Sequence, residues 1–292
     1  MRNSLAPVLE LEQFDEFTSG HAIYVNRFSD HVRKHHAHIL RPHKHAFYLT
    51  VLFTSGSGFH EIDFERYPIE PGAVFLLQPG QTHHWEFSDD TEGWVFFHSD
   101  SFWNFYAPDW PLKELPFFQS QRHIPVISTE NPTTELLNQC FLQLWEEYTA
   151  DQTYRSRKIA LLIQSCYIDL ARSLPPVAET TINKGEYLAR FQLLEQLIET
   201  HYLTEKSPGF YAEKLAVSER HLQRIVQQFT GKSTLQIITE RTILEAKRLL
   251  GAGQLRPGEI AQLLGYEEYS YFSRLFRQYS GMSPREFKQQ YD

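Results

Sequence analysis

The sequence predicts an α+β chain of two domains, an antiparallel β-barrel with two helices followed by an all-helical domain. Short aromatic strands separated by turn residues fill the segment 20–100, whereas the last hundred residues contain an internal repeat with helical spacing. A chain of 292 residues also exceeds what one small hydrophobic core usually supports. We therefore expect a first domain over residues 1–174, a linker over 175–185 and a second domain over 186–292.

The predicted strands are rich in aromatic and β-branched residues and follow one another at intervals of about ten residues. Their sequences are AIYVNRF, HAFYLTVLF, GFHEIDF, AVFLLQP, HHWEF and GWVFFH, with TSGSG, IEPG, QPGQ and SDDTEG among the segments between them. This spacing, punctuated by Gly, Pro and Asp, is typical of an antiparallel sandwich or barrel. We expect the aromatic, proline-containing segment 102–125 to cover the outside of the barrel.

Two amphipathic helices are predicted after the strands. Apolar residues recur at steps of three and four in TTELLNQCFLQLWEEYTA and again in RSRKIALLIQSCYIDLARSL. These helices either pack against the barrel or form an antiparallel pair that dimerises, and both interpretations stay open at this point. The following LPPVAETTINKG has two prolines and then small polar residues, which is why we place the linker there.

Charge and cysteine content narrow the class of protein. The net charge is −8, and it divides unevenly, because residues 1–185 carry net −9 and residues 186–292 net +1. The two cysteines lack CxxC spacing, so a zinc knuckle or redox motif is not expected, and buried reduced thiols indicate the cytoplasm. Neither a secretory signal nor an apolar run of the roughly 20 residues that a membrane span needs is recognisable.

The internal repeat predicts two helix-turn-helix units. Residues 212–233 align with residues 261–283 at an offset of 49 before the turn and 50 after it. Each copy has a short helix, a tight turn and a longer helix with an arginine at the same place, the pattern of a DNA-binding helix-turn-helix. Two such units can enter successive turns of one major groove, about 34 Å apart. The helical segments before and between them are expected to hold that separation.

Residues 260–288, IAQLLGYEEYSYFSRLFRQYSGMSPREFK, closely resemble the signature of the AraC/XylS family of bacterial transcription regulators. Residues 40–100 more loosely resemble the cupin-like effector-binding domain of that family. The resemblance implies a sequence-specific DNA-binding transcription regulator whose first domain is a cupin-like sensor of a small organic effector. It also implies a homodimer whose first domain both senses and dimerises.

The same resemblance implies which residues contact DNA. They are Arg220, Gln223 and Arg224 in the first unit and Tyr269, Ser270, Tyr271, Ser273 and Arg274 in the second. Arginine can bond guanine O6 and N7 together and glutamine can pair with adenine N6 and N7, whereas serine and tyrosine suit phosphates. Two positions depart from the family pattern. Val226 replaces a frequent Phe, and Ala216 occupies a turn position that commonly has Gly or Asn, where a left-handed backbone would cost about 1–2 kcal/mol.

Histidines mark a second candidate site, since 12 of the 14 precede residue 200. His43 and His45 share one face of a strand because side chains alternate, and His83 follows the turn at Pro79 and Gly80. Three imidazoles can hold zinc or iron with one open position, but the carboxylate usual in metal-binding cupins is missing after His45. The residues favour an effector pocket with no metal and no cofactor; a metal site and purely structural histidines are the alternatives.

The candidate effector-binding residues are Tyr24, His43, His45, Tyr48, His83, Trp85 and Trp94. The histidine-rich tract 31–38 is predicted to form a polar hairpin. No nucleophile elbow or other catalytic signature accompanies the Ser, His and Asp residues, so we do not expect an enzyme. The alternative function is a metal-dependent cupin enzyme with a helical appendage, and a third interpretation is a carbohydrate-binding or partner-binding module.

Overall fold

The computed structural model describes residues 8–14, 23–39, 42–118, 124–150, 152–174 and 184–291. The chain divides into two compact units, one spanning residues 7–177 and one containing residues 178–292. The predicted linker lies outside the described residues except for positions 184 and 185, which belong to the first helix of the second unit. Within the part of the chain that is described, no helix is long and apolar enough to cross a membrane.

The first unit contains two five-stranded sheets. Its strands are β1 (Val8–Leu9), β2 (Ile23–Arg27), β3 (His43–His45), β4 (Tyr48–Ser55), β5 (Gly58–Ile62), β6 (Glu65–Ile69), β7 (Ala73–Leu77), β8 (Thr82–Phe87), β9 (Glu92–His98) and β10 (Val126–Ser128). One sheet has the order β1-β3-β8-β5-β6 and the other β10-β7-β4-β9-β2. All pairings are antiparallel except β1 with β3, so the predicted antiparallel β domain is confirmed.

Alternating side chains of the second sheet enter two different apolar cores. Leu49, Val51 and Phe53 of β4 join residues of both sheets in what we call the inner core, between the sheets. Leu52, on the other face of β4, belongs to the outer core, which the sheet shares with the helices packed on it. The segment predicted to cover the barrel contributes to this outer core through helix α2 (Asp100–Tyr106) and the two 3-10 turns that follow it.

The two amphipathic helices predicted after the strands are confirmed as α3 (Thr133–Thr149) and α4 (Arg155–Ser173), which pack on the outer core. The predicted hairpin over residues 31–38 is wrong, because helix α1 (Phe28–Ile39) occupies that tract. Phe28 and His31, one helical turn apart, are buried and face the inner core, and the Tyr24 hydroxyl lies 3.1 Å from Nδ1 of His31. The helix was not recognised in the sequence because a polar histidine occupies one of its buried positions.

The second unit is entirely helical within its described residues. Its helices are α5 (Lys184–His201), α6 (Pro208–Lys214), α7 (Glu219–Thr230), α8 (Thr234–Gly251), α9 (Pro257–Leu263), α10 (Tyr269–Ser280) and α11 (Pro284–Tyr291). The pairs α6/α7 and α9/α10 are the two predicted helix-turn-helix units, and the 18-residue α8 connects them over about 27 Å. Leu222, Ile225 and Val226 anchor α7, whereas Phe272 and Phe276 anchor α10.

The turns of the two helix-turn-helix units each have a residue with a left-handed backbone, at equivalent positions. Ala216 has a φ of 52°, and Gly265, which is 49 residues later, has a φ of 77°. The strained alanine expected from the sequence is therefore confirmed. At Gly265 a Cβ atom would lie 2.4 Å from the carbonyl oxygen of Leu203, so only glycine fits this second turn without a shift of the backbone.

Candidate nucleic-acid interface and histidine cluster

Helices α7 and α10 have the same length and the same ending, 50 residues apart. Each has 12 residues and stops at a left-handed glycine, Gly231 or Gly281. The beginning of α7 is capped by Ser218, whose hydroxyl accepts a hydrogen bond of 3.2 Å from the backbone N–H of His221. At the start of α10 the equivalent residue is Glu268, whose side chain makes no such cap. The N-terminal turns of both helices therefore present matching positions.

The predicted DNA-contacting residues lie on the outer faces of these helices. Arg220, Arg224 and Arg274 are exposed, and no carboxylate in the described part of the chain pairs with them. Tyr269 is 40% exposed and Tyr271 53%, which is unusual for large aromatic side chains. Ser270 is exposed and Ser273 is half-buried. Unpaired guanidinium groups beside exposed aromatic rings suit contacts to bases and phosphates.

Gln223 differs from the other predicted contacts because its side chain is engaged within the protein. Its Oε1 accepts hydrogen bonds from the backbone N–H of Thr234 at 2.9 Å and from the Thr234 hydroxyl at 3.3 Å. This carboxamide therefore ties α7 to the first turn of α8. The second helix-turn-helix has no equivalent contact. Its matching residues are Ser273, whose side chain is shorter, and Pro284, which has no backbone N–H.

A groove beside α10 contains cationic residues that the repeat did not indicate. Arg256, Tyr269, Ser273 and Arg285 line it together with the beginning of α9. Arg256 is the residue before the first turn of α9, and Arg285 is in the first turn of α11. In the sequence, each of these two arginines is the direct neighbour of a proline that begins a helix, and this pattern could have identified them. Helix N-termini with adjacent arginines are well suited to a phosphate.

The predicted histidines meet on the inner face of the first sheet. In the antiparallel pair of β3 and β8, His43 lies directly opposite His83, and His45 is two residues along the same strand face. The ring centroids are 4.3 Å apart for His43 and His83, 4.5 Å for His45 and His83, and 4.8 Å for His43 and His45. All three side chains are buried, with exposures of 1–4%. Strand register thus assembles three imidazoles from two short segments.

A fourth histidine, missed from the sequence, extends this cluster. Nε2 of His60 on β5 lies 2.7 Å from Nδ1 of His83, and Nε2 of His83 lies 3.0 Å from Nε2 of His45. The His60 ring stacks flat on Trp85, at 4.3 Å and an angle of 3°. Burial, followed by the proximity of other imidazoles, lowers the pKa of His45, His60 and His83 well below 6.5. These rings are therefore neutral at pH 7.

The seven predicted effector-binding residues do not line one pocket. Tyr24 and Trp85 lie in the inner core, on the same side as the three histidines. Tyr48 and Trp94 face the outer core instead, where Tyr48 stacks on His98 at 5.2 Å and Trp94 Nε1 donates to Asn138 Oδ1 at 2.7 Å. The single pocket is wrong for these two residues, because strand alternation sends them to the opposite face of their sheet.

Comparison with known proteins covers both units. A family model described as a helix-turn-helix domain matches residues 211–290, and one described as an AraC-like ligand binding domain matches residues 29–164. The arabinose operon regulatory protein of Salmonella typhimurium is 22% identical, over 82% of this chain and 83% of the relative. The transcriptional activator RhaS of Escherichia fergusonii is 28% identical, over 85% of this chain and 87% of the relative.

Among solved structures, ToxT from Vibrio cholerae O395 matches with a TM-score of 0.46 and 14% sequence identity, over 92% of this chain and 97% of that one.

Proposed function

The chain belongs to the AraC family of transcription regulators, with a helix-turn-helix DNA-binding domain and an AraC-like ligand-binding domain, and we propose that it couples one small organic effector to recognition of one DNA site. The observation that supports this most directly is the repeat. Two 12-residue helices 50 residues apart expose equivalent arginines, Arg224 and Arg274, on faces opposite their buried anchors. Such a pair is suited to two adjacent major-groove segments.

In this proposal the exposed arginines select bases and the remaining contacts position the protein. The guanidinium groups of Arg220, Arg224 and Arg274 pair with no carboxylate of the described residues, and each can donate two hydrogen bonds to a guanine. One such bidentate contact is worth about 1–3 kcal/mol of discrimination against the wrong base. The tyrosines and serines at the start of α10 bind phosphates, as do Arg256 and Arg285 in the groove beside it. The near-neutral charge of residues 186–292 is compatible with this mode, because helix N-termini bind phosphate through backbone N–H groups.

In this proposal the first unit binds the effector and contains the surface through which two copies dimerise. Leu161 and Ile168 are two helical turns apart on α4 and stay exposed at 61% and 37%, with Leu136 of α3 exposed at 51%. Exposed apolar side chains on each of two packed helices favour association of two copies through these helices. We place the protein in the cytoplasm, which its two free, buried cysteines suit. An effector then acts by binding one arrangement of the dimer more tightly than another.

The test is selection of genomic DNA fragments by the purified full-length protein. We expect enrichment of fragments that share one motif, with affinity that falls steeply as salt rises. A variant with both Arg224→Ala and Arg274→Ala should lose the motif, whereas Arg190→Ala on α5, whose side chain pairs with Glu186, should keep it. A folded protein that enriches no sequence, or a double variant that enriches the same motif equally well, would contradict the proposal. The cupin-enzyme alternative gains no support from the relatives, whose names describe transcription regulation.

A further inference from the structure

The buried histidine cluster has the geometry of a metal site. We propose that His43, His45 and His83 together bind one divalent transition-metal ion, with zinc as the reference ion. Their candidate ligand atoms all lie within 4.8 Å of one another, and all three side chains are buried. This site goes beyond the proposed function, and its test involves no DNA.

The spacing of the nitrogens supports a shared ion. Tetrahedral zinc with bonds of about 2.0–2.1 Å to nitrogen holds its ligand atoms about 3.3 Å apart. Nε2 of His45 and Nε2 of His83 are already 3.0 Å apart, so this pair needs a change of only a few tenths of an ångström. The His43 ring is 4.3 Å from the His83 ring, centroid to centroid, and its candidate ligand atom lies within 4.8 Å of those of His45 and His83, so completing the set requires this atom to move closer to the other two.

The backbone that presents these ligands is a paired sheet. His43 and His83 are directly opposed residues in the ladder of β3 and β8, so their separation is fixed by strand pairing. The carbonyl of His45 accepts a hydrogen bond of 2.9 Å from the N–H of Gly80, which ties the end of β3 to the turn before β8. Ligands on paired strands are held more precisely than ligands on loops.

His60 supplies the partner that metal-bound histidines usually have. A ligating histidine donates its other ring N–H to an acceptor, and this bond fixes the tautomer and the ring orientation. With Nε2 of His83 directed at the ion, its Nδ1–H donates to Nε2 of His60 at 2.7 Å. Stacking on Trp85 holds the His60 ring in place for that role. His60 is therefore a positioning residue.

The ligand set determines the class of ion. Imidazole nitrogen suits zinc, copper, nickel, cobalt and iron, whereas calcium and magnesium prefer oxygen. Three neutral imidazoles leave the fourth position of a tetrahedral site to a water molecule or a small anion. Such a set differs from the closed four-ligand sets of structural zinc sites.

The experiment uses the full-length protein after removal of metal with a chelator and dialysis. Zinc chloride is titrated by calorimetry, bound metal is counted by mass spectrometry, and cobalt chloride serves as a spectroscopic probe. We expect one ion per chain and the intense visible absorption of four-coordinate cobalt. The variant His83→Gln should lose at least about 100-fold in affinity, since one of three ligands is gone.

The matched control is His84→Gln. His84 is the next residue of β8, and its side chain faces the other side of the sheet, with Nδ1 3.8 Å from a carboxylate oxygen of Glu61. This variant should bind zinc as the unmodified protein does. His60→Leu should weaken binding by about 10- to 100-fold with the stoichiometry unchanged, as loss of an orienting hydrogen bond does.

Folding is checked in the same samples by thermal unfolding with chelator and with zinc. Zinc should raise the unfolding midpoint of the unmodified protein and of His84→Gln, and should raise that of His60→Leu less. If His83→Gln fails to fold, the reduced affinity of folded His60→Leu remains a decisive measurement. Absence of stoichiometric binding by the folded, unmodified protein would overturn the proposal. So would affinity equal to that of the unmodified protein in folded His83→Gln, because the ion would then be bound elsewhere. Unchanged affinity in folded His60→Leu would contradict the orienting hydrogen bond from His83 on which the proposed geometry depends.

Discussion

The two units differ in the exposure of their candidate site residues, which lie on the surface of the second unit and in the interior of the first. In the second unit the candidate DNA contacts Arg220, Arg224 and Arg274 are exposed and separate from the core that holds their helices. In the first unit His43, His45 and His83 are buried. Substitutions on the exposed surface should therefore change binding with little effect on stability. In the histidine-rich interior, stability and any ligand binding are coupled, because the same side chains serve both.

The largest expected difference between the units is their response to acid. Burial lowers the pKa of His98 to about 4 and, with His35 as the second cause, that of His31 to about 3. Nδ1–H of His98 donates to the Ser99 carbonyl at 3.2 Å, so its Nε2 accepts from the Tyr167 hydroxyl at 2.8 Å. Protonation of Nε2 would remove the acceptor for the Tyr167 hydroxyl and place a charge in the outer core.

Between pH 6.5 and about 4 the unfolded chain therefore binds protons at His31 and His98 that the folded chain does not bind. Since the unfolded state binds more protons, the free energy of unfolding falls as the pH falls through this window. From pH 7 to pH 5 we expect each of the two histidines to cost the first unit about 2 kcal/mol. No histidine of the described second unit is fully buried.

Tryptophan fluorescence measures this effect selectively, because all five tryptophans are in the first unit. They are Trp85, Trp94, Trp103, Trp110 and Trp145. Urea unfolding with chelator present should show a fluorescence transition that moves to lower urea at pH 5. His98→Gln should reduce the pH dependence by about one proton. An equal pH dependence in this variant would show that His98 does not titrate as expected.

The next effect is on DNA binding. Arg274→Ala should cost about 1–3 kcal/mol at the preferred DNA site and relax the preference at one base pair. Its unfolding midpoint should stay nearly the same, because Arg274 is exposed. Arg277→Ala, an exposed neighbour on α10, is the control and should leave base preference intact. Selection of bound sequences measures both variants, and an unchanged preference with Arg274→Ala would contradict its role in base recognition.

The sequence predicted the second unit better than the first for a physical reason. The resemblance implied positions such as Arg224 and Arg274, and it carried over well because helical spacing is local and sets which side of a helix a residue occupies; both arginines are exposed. The pair His43 and His45 was equally local, because alternation along one strand puts both on one face. His60 was missed because its proximity to His83 depends on the register between β5 and β8, which no local pattern contains.

Tyr48 and Trp94 were assigned to the wrong face for a related reason. Both sides of their sheet are covered by apolar cores, so every position of β4 and β9 is occupied by residues that could face either one. Alternation in the sequence then separates the two faces without saying which one is the interior of the barrel. That choice is made by long-range packing of α3 and α4.

Gln223 is the residue of the second unit whose substitution should change both DNA binding and stability. Its side chain accepts hydrogen bonds from Thr234 at the start of α8, and it is also a predicted base contact. Gln223→Ala should therefore lower the free energy of unfolding by about 1 kcal/mol as well as weaken DNA binding. Ser273→Ala at the matching position is the control, and it should affect binding alone. Urea unfolding followed by circular dichroism distinguishes the two, and no loss of stability in Gln223→Ala would remove the bridging role.

The smallest effect concerns the two turns. Ala216 has a left-handed backbone that costs an L-residue about 1–2 kcal/mol, and glycine removes most of this cost while losing some to its greater freedom when unfolded. Ala216→Gly should therefore stabilise the second unit by about 0.5–1 kcal/mol. The reciprocal Gly265→Ala should destabilise it, since the new Cβ would lie 2.4 Å from the Leu203 carbonyl oxygen. Thermal unfolding followed by far-ultraviolet circular dichroism measures both changes. Equal and opposite shifts are not expected, because the first turn has only backbone strain to relieve, whereas the second would gain strain and a close contact together.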